Sequence, residues 1–171
     1  MTAPIQLFCG NSEPQKSNIH PIKNQIECLK AGGGIWTSTY NSKSGSDWVQ
    51  VYNSLWGIPE EGIDGWLLTP SLNARVYKID SFNDLIWMYQ NYKRVLADIP
   101  DFIKMINFEK MAQDFDAVHL TAKGKSETRH SWPINLHTWD CECTHWFRWC
   151  FEKVEYIGKI KSVHICLLYT S

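Results

Sequence analysis

Apolar residues along the chain fall into short bursts separated by polar stretches rich in glycine and proline, and the spacing within each burst predicts an element. Residues 5–8, Ile-Gln-Leu-Phe, read as a short opening strand that ends at Cys9-Gly10. Residues 11–24 are polar, carry Pro14 and Pro21, and read as loop. The spacing over 21–31 predicts a helix stopped by the run Gly32-Gly33-Gly34. Residues 35–40 are β-branched and aromatic and predict a strand leaving that glycine hinge. Asp47 is the expected cap of a helix through Trp48, Val51, Tyr52, Leu55 and Trp56.

Residues 66–69 and 74–79 read as strands, with Pro70 and Asn73 marking a turn between them. Residues 81–92 place Phe82, Leu85, Ile86, Tyr89 and Tyr92 at helical spacing, with Ser81 as N-cap and Asp84 three residues on. A second helix is expected over 101–113, a strand over 116–121 and a polar loop over 122–133. Strands are expected at 144–151 and, shorter, at 154–157. Helices and strands in no strict alternation predict an α+β fold, in one domain over 1–161, with no internal repeat and no low-complexity linker.

Composition narrows this further. At 171 residues, 44% of them apolar, the chain is long enough for a core of its own and too apolar for disorder. A net charge of −1 gives no global field to draw in nucleic acid or an anionic membrane. No stretch of about 18 apolar residues predicts a transmembrane helix. Residues 1–10 have neither the basic nor the apolar region of a signal peptide. Six cysteines, Cys9, Cys28, Cys141, Cys143, Cys150 and Cys166, are therefore expected to stay reduced in the cytoplasm. Nine tryptophans are unusual for this length; most are expected in the core, and a cluster beside a cleft would stack on a flat ligand. The segment 164–171 resembles translated sequencing-adapter read-through, so 162–171 is set apart as a tail.

Three segments carry the candidate chemistry: Leu7-Phe8-Cys9-Gly10; Gly32-Gly33-Gly34 followed by Ile35-Trp36-Thr37-Ser38-Thr39-Tyr40; and Asp140-Cys141-Glu142-Cys143-Thr144-His145-Trp146-Phe147. In this order and spacing the chain resembles the ADP-ribosyltransferase superfamily, in particular its small bacterial and phage members. There a first strand ends in Arg-Gly or His-Gly. A second strand after a glycine turn carries Ser-Thr-Ser or a Tyr beneath the nicotinamide, and a late strand opens with the catalytic Glu. Asp114-Phe115-Asp116-Ala117-Val118 resembles the strand that often precedes that Glu.

The resemblance implies a split pair of small antiparallel sheets flanked by helices. It implies NAD as substrate, transfer of ADP-ribose to a protein or nucleic-acid acceptor, and Glu142 as catalytic residue. Cys9, Gly10, Gly34, Trp36, Thr37, Ser38, Thr39 and Tyr40 would then contact the nucleotide. Chemically, cleavage of the nicotinamide–ribose bond passes through an oxocarbenium-like state, which a carboxylate on the ribose 2′-OH stabilises. The family's Arg or His is Cys9 here, a weak donor without charge. Either Arg129 or His130 from the polar loop replaces that contact, or NAD binding is altered.

Each motif also has a plainer reading. Glu142 is then a solvent-facing strand residue, Thr37-Ser38-Thr39 an edge-strand hydroxyl ladder, the triple glycine a helix stop, and the loop with Lys123, Lys125, Arg129 and His130 a solvated surface. Cys141-x-Cys143-x-His145, with Cys150, invites a zinc site, but the spacing is poor for one, and ordinary core thiols are the plainer reading. Cys9 as a nucleophile with His20, His130 or His137 has no pairing in the sequence. His119 reads as a core histidine. A non-catalytic module that stacks a nucleotide or single-stranded nucleic acid on the aromatic residues is the competing functional class.

Overall fold

The chain opens with β1 (Gln6–Gly10), followed by a single 3-10 turn at Lys16–Asn18 and then β2 (Ile35–Thr39). The computed structural model describes residues 3–26, 30–42, 45–100 and 102–161. The helix expected over 21–31 does not form in its described part. Lys23 and Gly32 instead exchange a pair of antiparallel backbone hydrogen bonds at 3.0 and 2.8 Å. Tertiary demand overrides local propensity here: the side-chain oxygen of Asn24 accepts the Phe108 N–H at 2.7 Å. Residues 27–29 of that expected helix, like Cys28, Cys166 and the tail 162–171, lie outside the described residues.

Next comes α1 (Asp47–Leu55), whose cap is Ser46, accepting the Val49 N–H, and not Asp47. The Asp47 carboxylate is engaged elsewhere. β3 (Ile63–Pro70), β4 (Val76–Ile79) and α2 (Phe82–Tyr92) follow. Ser81 caps α2 as the sequence predicts: it accepts the Asp84 N–H, while the Asp84 carboxylate accepts the Asp80 N–H at 3.0 Å and the Ser81 hydroxyl at 2.8 Å.

The expected helix 101–113 is shortened. β5 (Lys93–Arg94) and β6 (Met105–Ile106) pair as a two-stranded ribbon, and α3 (Phe108–Asp114) starts only where Asn107 caps it. Residue 101 lies outside the described residues. β7 (Ala117–Leu120) leads straight into α4 (Ala122–Thr128), where a loop was expected. Thr121 caps α4 through the Gly124 N–H, and Gly124 lets the helix lie on β4, where a Cβ would sit 2.1 Å from the Ile79 carbonyl oxygen. A helix of two turns with no apolar stripe leaves no periodicity to read.

β8 (Cys143–Trp146) ends earlier than the expected 144–151 strand, and β9 (Phe151–Ile160) runs unbroken where a short strand was expected. The strands form one seven-stranded mixed sheet in the order β4-β7-β8-β2-β1-β3-β9. Only β4 and β7 are parallel among its joints. The fold is thus α+β. Where the resemblance implies two small antiparallel sheets, β2 pairs with β1 and with β8 and so joins both halves into a single sheet.

That sheet is strongly curled. Trp146 on β8 and Phe151 at the start of β9 are four strand spacings apart in sheet order, about 19 Å if flat. Their ring centroids are 4.7 Å apart. Inside the curl, Leu68, Ala117, Trp146 and Phe151 form one buried cluster. On the other face Val118, Leu120 and Cys143 pack with Leu85, Met88, Met111 and Trp139, which seats α2 and α3 on the sheet. Each such fully buried aliphatic side chain contributes about 1.5–3 kcal/mol. No helix of the described residues is long and apolar enough to cross a membrane.

Candidate functional site

Strand β2 changes partner along its length. Ile35, Trp36 and Thr37 pair with β8, whereas Ser38 and Thr39 pair with β1. Glu142 stands one residue before β8 begins, beside the stretch of β2 that no longer pairs with β8. Its carboxylate takes the place of the missing strand. Oε2 accepts the Thr39 N–H at 2.9 Å and the Ser38 hydroxyl at 2.9 Å, and Oε1 accepts the Thr39 hydroxyl at 2.7 Å. From behind, the Glu142 N–H donates to Asp47 Oδ2 at 3.1 Å, and the same oxygen takes Lys125 Nζ at 2.9 Å. Hydrogen bonds to an ionised group are the stronger kind, so this carboxylate is held in one orientation.

Glu142 is 8% exposed, and what remains open faces a cleft of about 760 Å3. Thr39, Asp47, Lys78, Asp80, His119 and Thr121 contribute to its walls. That volume lies within the range of ligand-binding clefts, about 300–1,000 Å3. His119 comes from β7, with Nδ1 at 2.8 Å from the Thr144 hydroxyl and 3.5 Å from Glu142 Oε1. Burial holds its imidazole below the ordinary value although Glu142 pulls the other way, so it is neutral at pH 7. Burial alone would raise the Asp47 carboxyl, but the Lys125 ammonium and the Glu142 N–H more than reverse it, and the net direction is down. The Thr121 hydroxyl, helped by Lys78 and Lys123, keeps Asp80 low as well. The cleft is therefore lined by ionised carboxylates, a lysine ammonium and a neutral imidazole.

The residues singled out from sequence separate into two groups. Ser38, Thr39 and Glu142 come together as described. Thr37 turns into the curl of the sheet, where its hydroxyl donates to Gln6 Oε1 at 2.7 Å and accepts the Trp146 indole N–H at 2.9 Å. Trp36 points to the opposite face and stacks on His145, with centroids 4.0 Å apart and planes 6° apart. Tyr40 is half-buried and its N–H donates to the Ile5 carbonyl. Cys9, Gly34, Trp36 and Thr37 line a separate, smaller cavity of about 360 Å3. Burial pushes the Cys9 thiol up to about 12, so it is neutral there. Gly10 closes β1 opposite Asp64. Gly34, at φ +66°, has no open space above it: a Cβ would lie 2.4 Å from the Trp146 carbonyl oxygen. Arg129 caps the C-terminus of α4, is exposed, and lines neither cavity.

Sequence reasoning missed the roles of Asp47, Lys78, Asp80 and Thr121 and read His119 as core. The one available signal was the alternation on β7, where His119 and Thr121 face away from Val118 and Leu120. For the zinc reading, no three His, Cys, Asp or Glu side chains gather around a common point among the described residues. His145 Nε2 is committed to the Gly33 carbonyl at 3.0 Å, and Cys143 shares a hydrogen bond with Cys141. The chain matches no family model, no curated protein and no solved structure.

Proposed function

We propose that this chain is an ADP-ribosyltransferase-like enzyme, a glycosyltransferase that moves ADP-ribose from NAD to a macromolecular acceptor, with NAD bound as substrate in the Glu142 cleft. One observation carries the reading: a carboxylate fixed by Ser38 and Thr39 at the mouth of a ligand-sized cleft, at the positions the family resemblance assigns to the catalytic Glu and the hydroxyl strand. Glu142 would accept the ribose 2′-OH and stabilise positive charge as the nicotinamide bond breaks. Nicotinamide leaves with the bonding electron pair, the acceptor attacks the ribose carbon, and its proton passes to solvent or to neutral His119. Lys78 supplies cationic charge for the pyrophosphate in the same cleft.

Labelled NAD, incubated with and without a cell lysate, tests this directly. Nicotinamide release and label transfer are expected from the wild type. Glu142→Gln should lower both by at least about 10²-fold, the usual loss when one preorganised electrostatic contact to a transition state goes. Circular dichroism should show the variant folded. Full activity in Glu142→Gln, or no nicotinamide release by the wild type, defeats the proposal.

The competing reading is a non-catalytic module for a nucleotide or single-stranded nucleic acid. The neutral, half-buried Cys9 at the position of the family's Arg or His favours it. Such a module would bind with a steep salt dependence and release no nicotinamide.

A further inference from the structure

Behind Glu142, on the other face of the sheet, lies a third cavity of about 210 Å3 whose walls are indoles. Trp139 is fully buried and lines this cavity. Trp36 stands edge-on to it, with centroids 4.9 Å apart and planes 77° apart, so the two rings make a corner. Trp48 and Trp56, both from the α1 region, bound the cavity as well, and Trp56 is 66% exposed. Asp140 brings the one carboxylate among the residues lining it. The chain already places a cation here: Lys30 Nζ lies 5.7 Å from the centre of the Trp36 ring and 3.0 Å from Asp140 Oδ2.

Indole faces carry negative π density and attract cations, most strongly where water is excluded. The volume is below that of drug-sized ligand sites and suits a head-group. A primary ammonium entering it would bring three N–H donors to walls of Trp, Val51, Cys141 and Cys143, with a single carboxylate to receive them. A fully methylated ammonium has charge but no donors, and so escapes that cost. We propose that the Trp36–Trp48–Trp56–Trp139 cavity is a binding site for a quaternary methylammonium group, with Asp140 as its counter-charge and Lys30 as the internal cation it displaces. Because Cys141 and Cys143 line this cavity and Glu142 between them faces away, the site is separate from the cleft and does not depend on the activity proposed for it.

The group can come from a free small molecule or from a trimethylated lysine side chain of another protein, and titration of the full chain separates the two. Tryptophan fluorescence and calorimetry are followed with choline, with its neutral isostere 3,3-dimethylbutanol, and with one lysine peptide in trimethylated and unmethylated forms. Saturable binding is expected for choline or the trimethylated peptide, at least tenfold tighter than for the isostere or the unmethylated peptide. Saturation by choline assigns the free molecule; saturation by the trimethylated peptide alone assigns the side chain. Lys30→Ala should tighten binding and Trp36→Leu abolish it. Trp56→Ala, at an exposed position that leaves the fold intact, should weaken it at least threefold. No saturable binding by choline or the trimethylated peptide to either wild type or Lys30→Ala overturns the assignment. So does equal binding of charged and neutral isosteres.

Discussion

His145 should make this protein acid-labile in a measurable window. The imidazole is 0% exposed, stacked on Trp36, and its Nε2–H donates to the Gly33 carbonyl. Nδ1 is buried with no hydrogen-bond partner among the described residues. Protonation would put the ring's second N–H on that nitrogen and a charge in an apolar layer, with the Lys30 ammonium nearby. Burial first, and Lys30 with it, push the group down to about 4, against the opposing pull of the Gly33 carbonyl. In the unfolded chain the same group titrates near 6.5. Between those values the unfolded state holds more protons, so stability falls as pH falls. The contribution is complete above pH 6.5 and gone below pH 4. The difference in affinity for the proton is worth about 3 kcal/mol in all, with about 2 kcal/mol already lost at pH 5. Urea unfolding of the wild type and His145→Phe at pH 7, 6, 5 and 4 measures it. Phe keeps the ring and the stacking but cannot titrate, and the shared carboxylates and His119 cancel in the comparison. The wild type should lose about 3 kcal/mol more than the variant between pH 7 and 4. A gap that stays constant across that range refutes the argument that burial keeps this ring neutral.

Two further outcomes follow from the same geometry. With its thiol at about 12, Cys9 is ionised to only about one part in ten thousand at pH 8, against about a quarter for an ordinary thiol; alkylation at Cys9, read by peptide mass mapping, should be at least a hundredfold slower in native protein than in urea, and equal rates would show the thiol to be exposed. Gly34→Ala combines a left-handed φ of +66° with a Cβ placed 2.4 Å from the Trp146 carbonyl oxygen, so it should cost at least about 3 kcal/mol in urea unfolding, and a loss below about 1 kcal/mol would disprove that close approach.

The strands around the site were legible because their residues carry an unambiguous local signature. Ile35 to Thr39 is β-branched and aromatic behind a glycine turn, and Ser81 with Asp84 caps α2 as the sequence predicts. What the sequence hides is long-range exchange. Asn24 spends its polar side chain on the start of α3, which removes it from a local helix. Asp47 leaves the cap to Ser46 because Lys125 and the Glu142 N–H, 78 and 95 residues away, hold its carboxylate. The hydroxyl strand was also legible as a group but not in its division. Alternation predicts Thr37 and Thr39 on one side; the observed split is set by the partner change of β2, which turns Ser38 and Thr39 toward Glu142 and leaves Thr37 inside the curl. Aromatic richness pointed to a cluster of indoles, yet not to its place behind the carboxylate.

The seam explains why position 142 holds an acid. A strand that loses its neighbour leaves backbone N–H groups needing an acceptor, and an amide side chain or water would serve that need alone. A carboxylate adds a charge that must be neutralised or hydrogen-bonded when buried. Here two hydroxyls and one backbone N–H do so, and Asp47 with Lys125 fixes the chain behind it. A carboxylate has about four acceptor positions, and the described residues fill three. The fourth lies on Oε1, the oxygen nearer His119, whose Nδ1 at 3.5 Å is engaged by Thr144 and is too far to fill it. In the proposed reaction that fourth position is where the ribose hydroxyl would donate. The seam therefore separates the two roles by experiment: Glu142→Ala removes the acceptor of the Thr39 N–H and should cost stability, whereas Glu142→Gln keeps an acceptor and removes the charge, so loss of nicotinamide release at unchanged folding reports the charge.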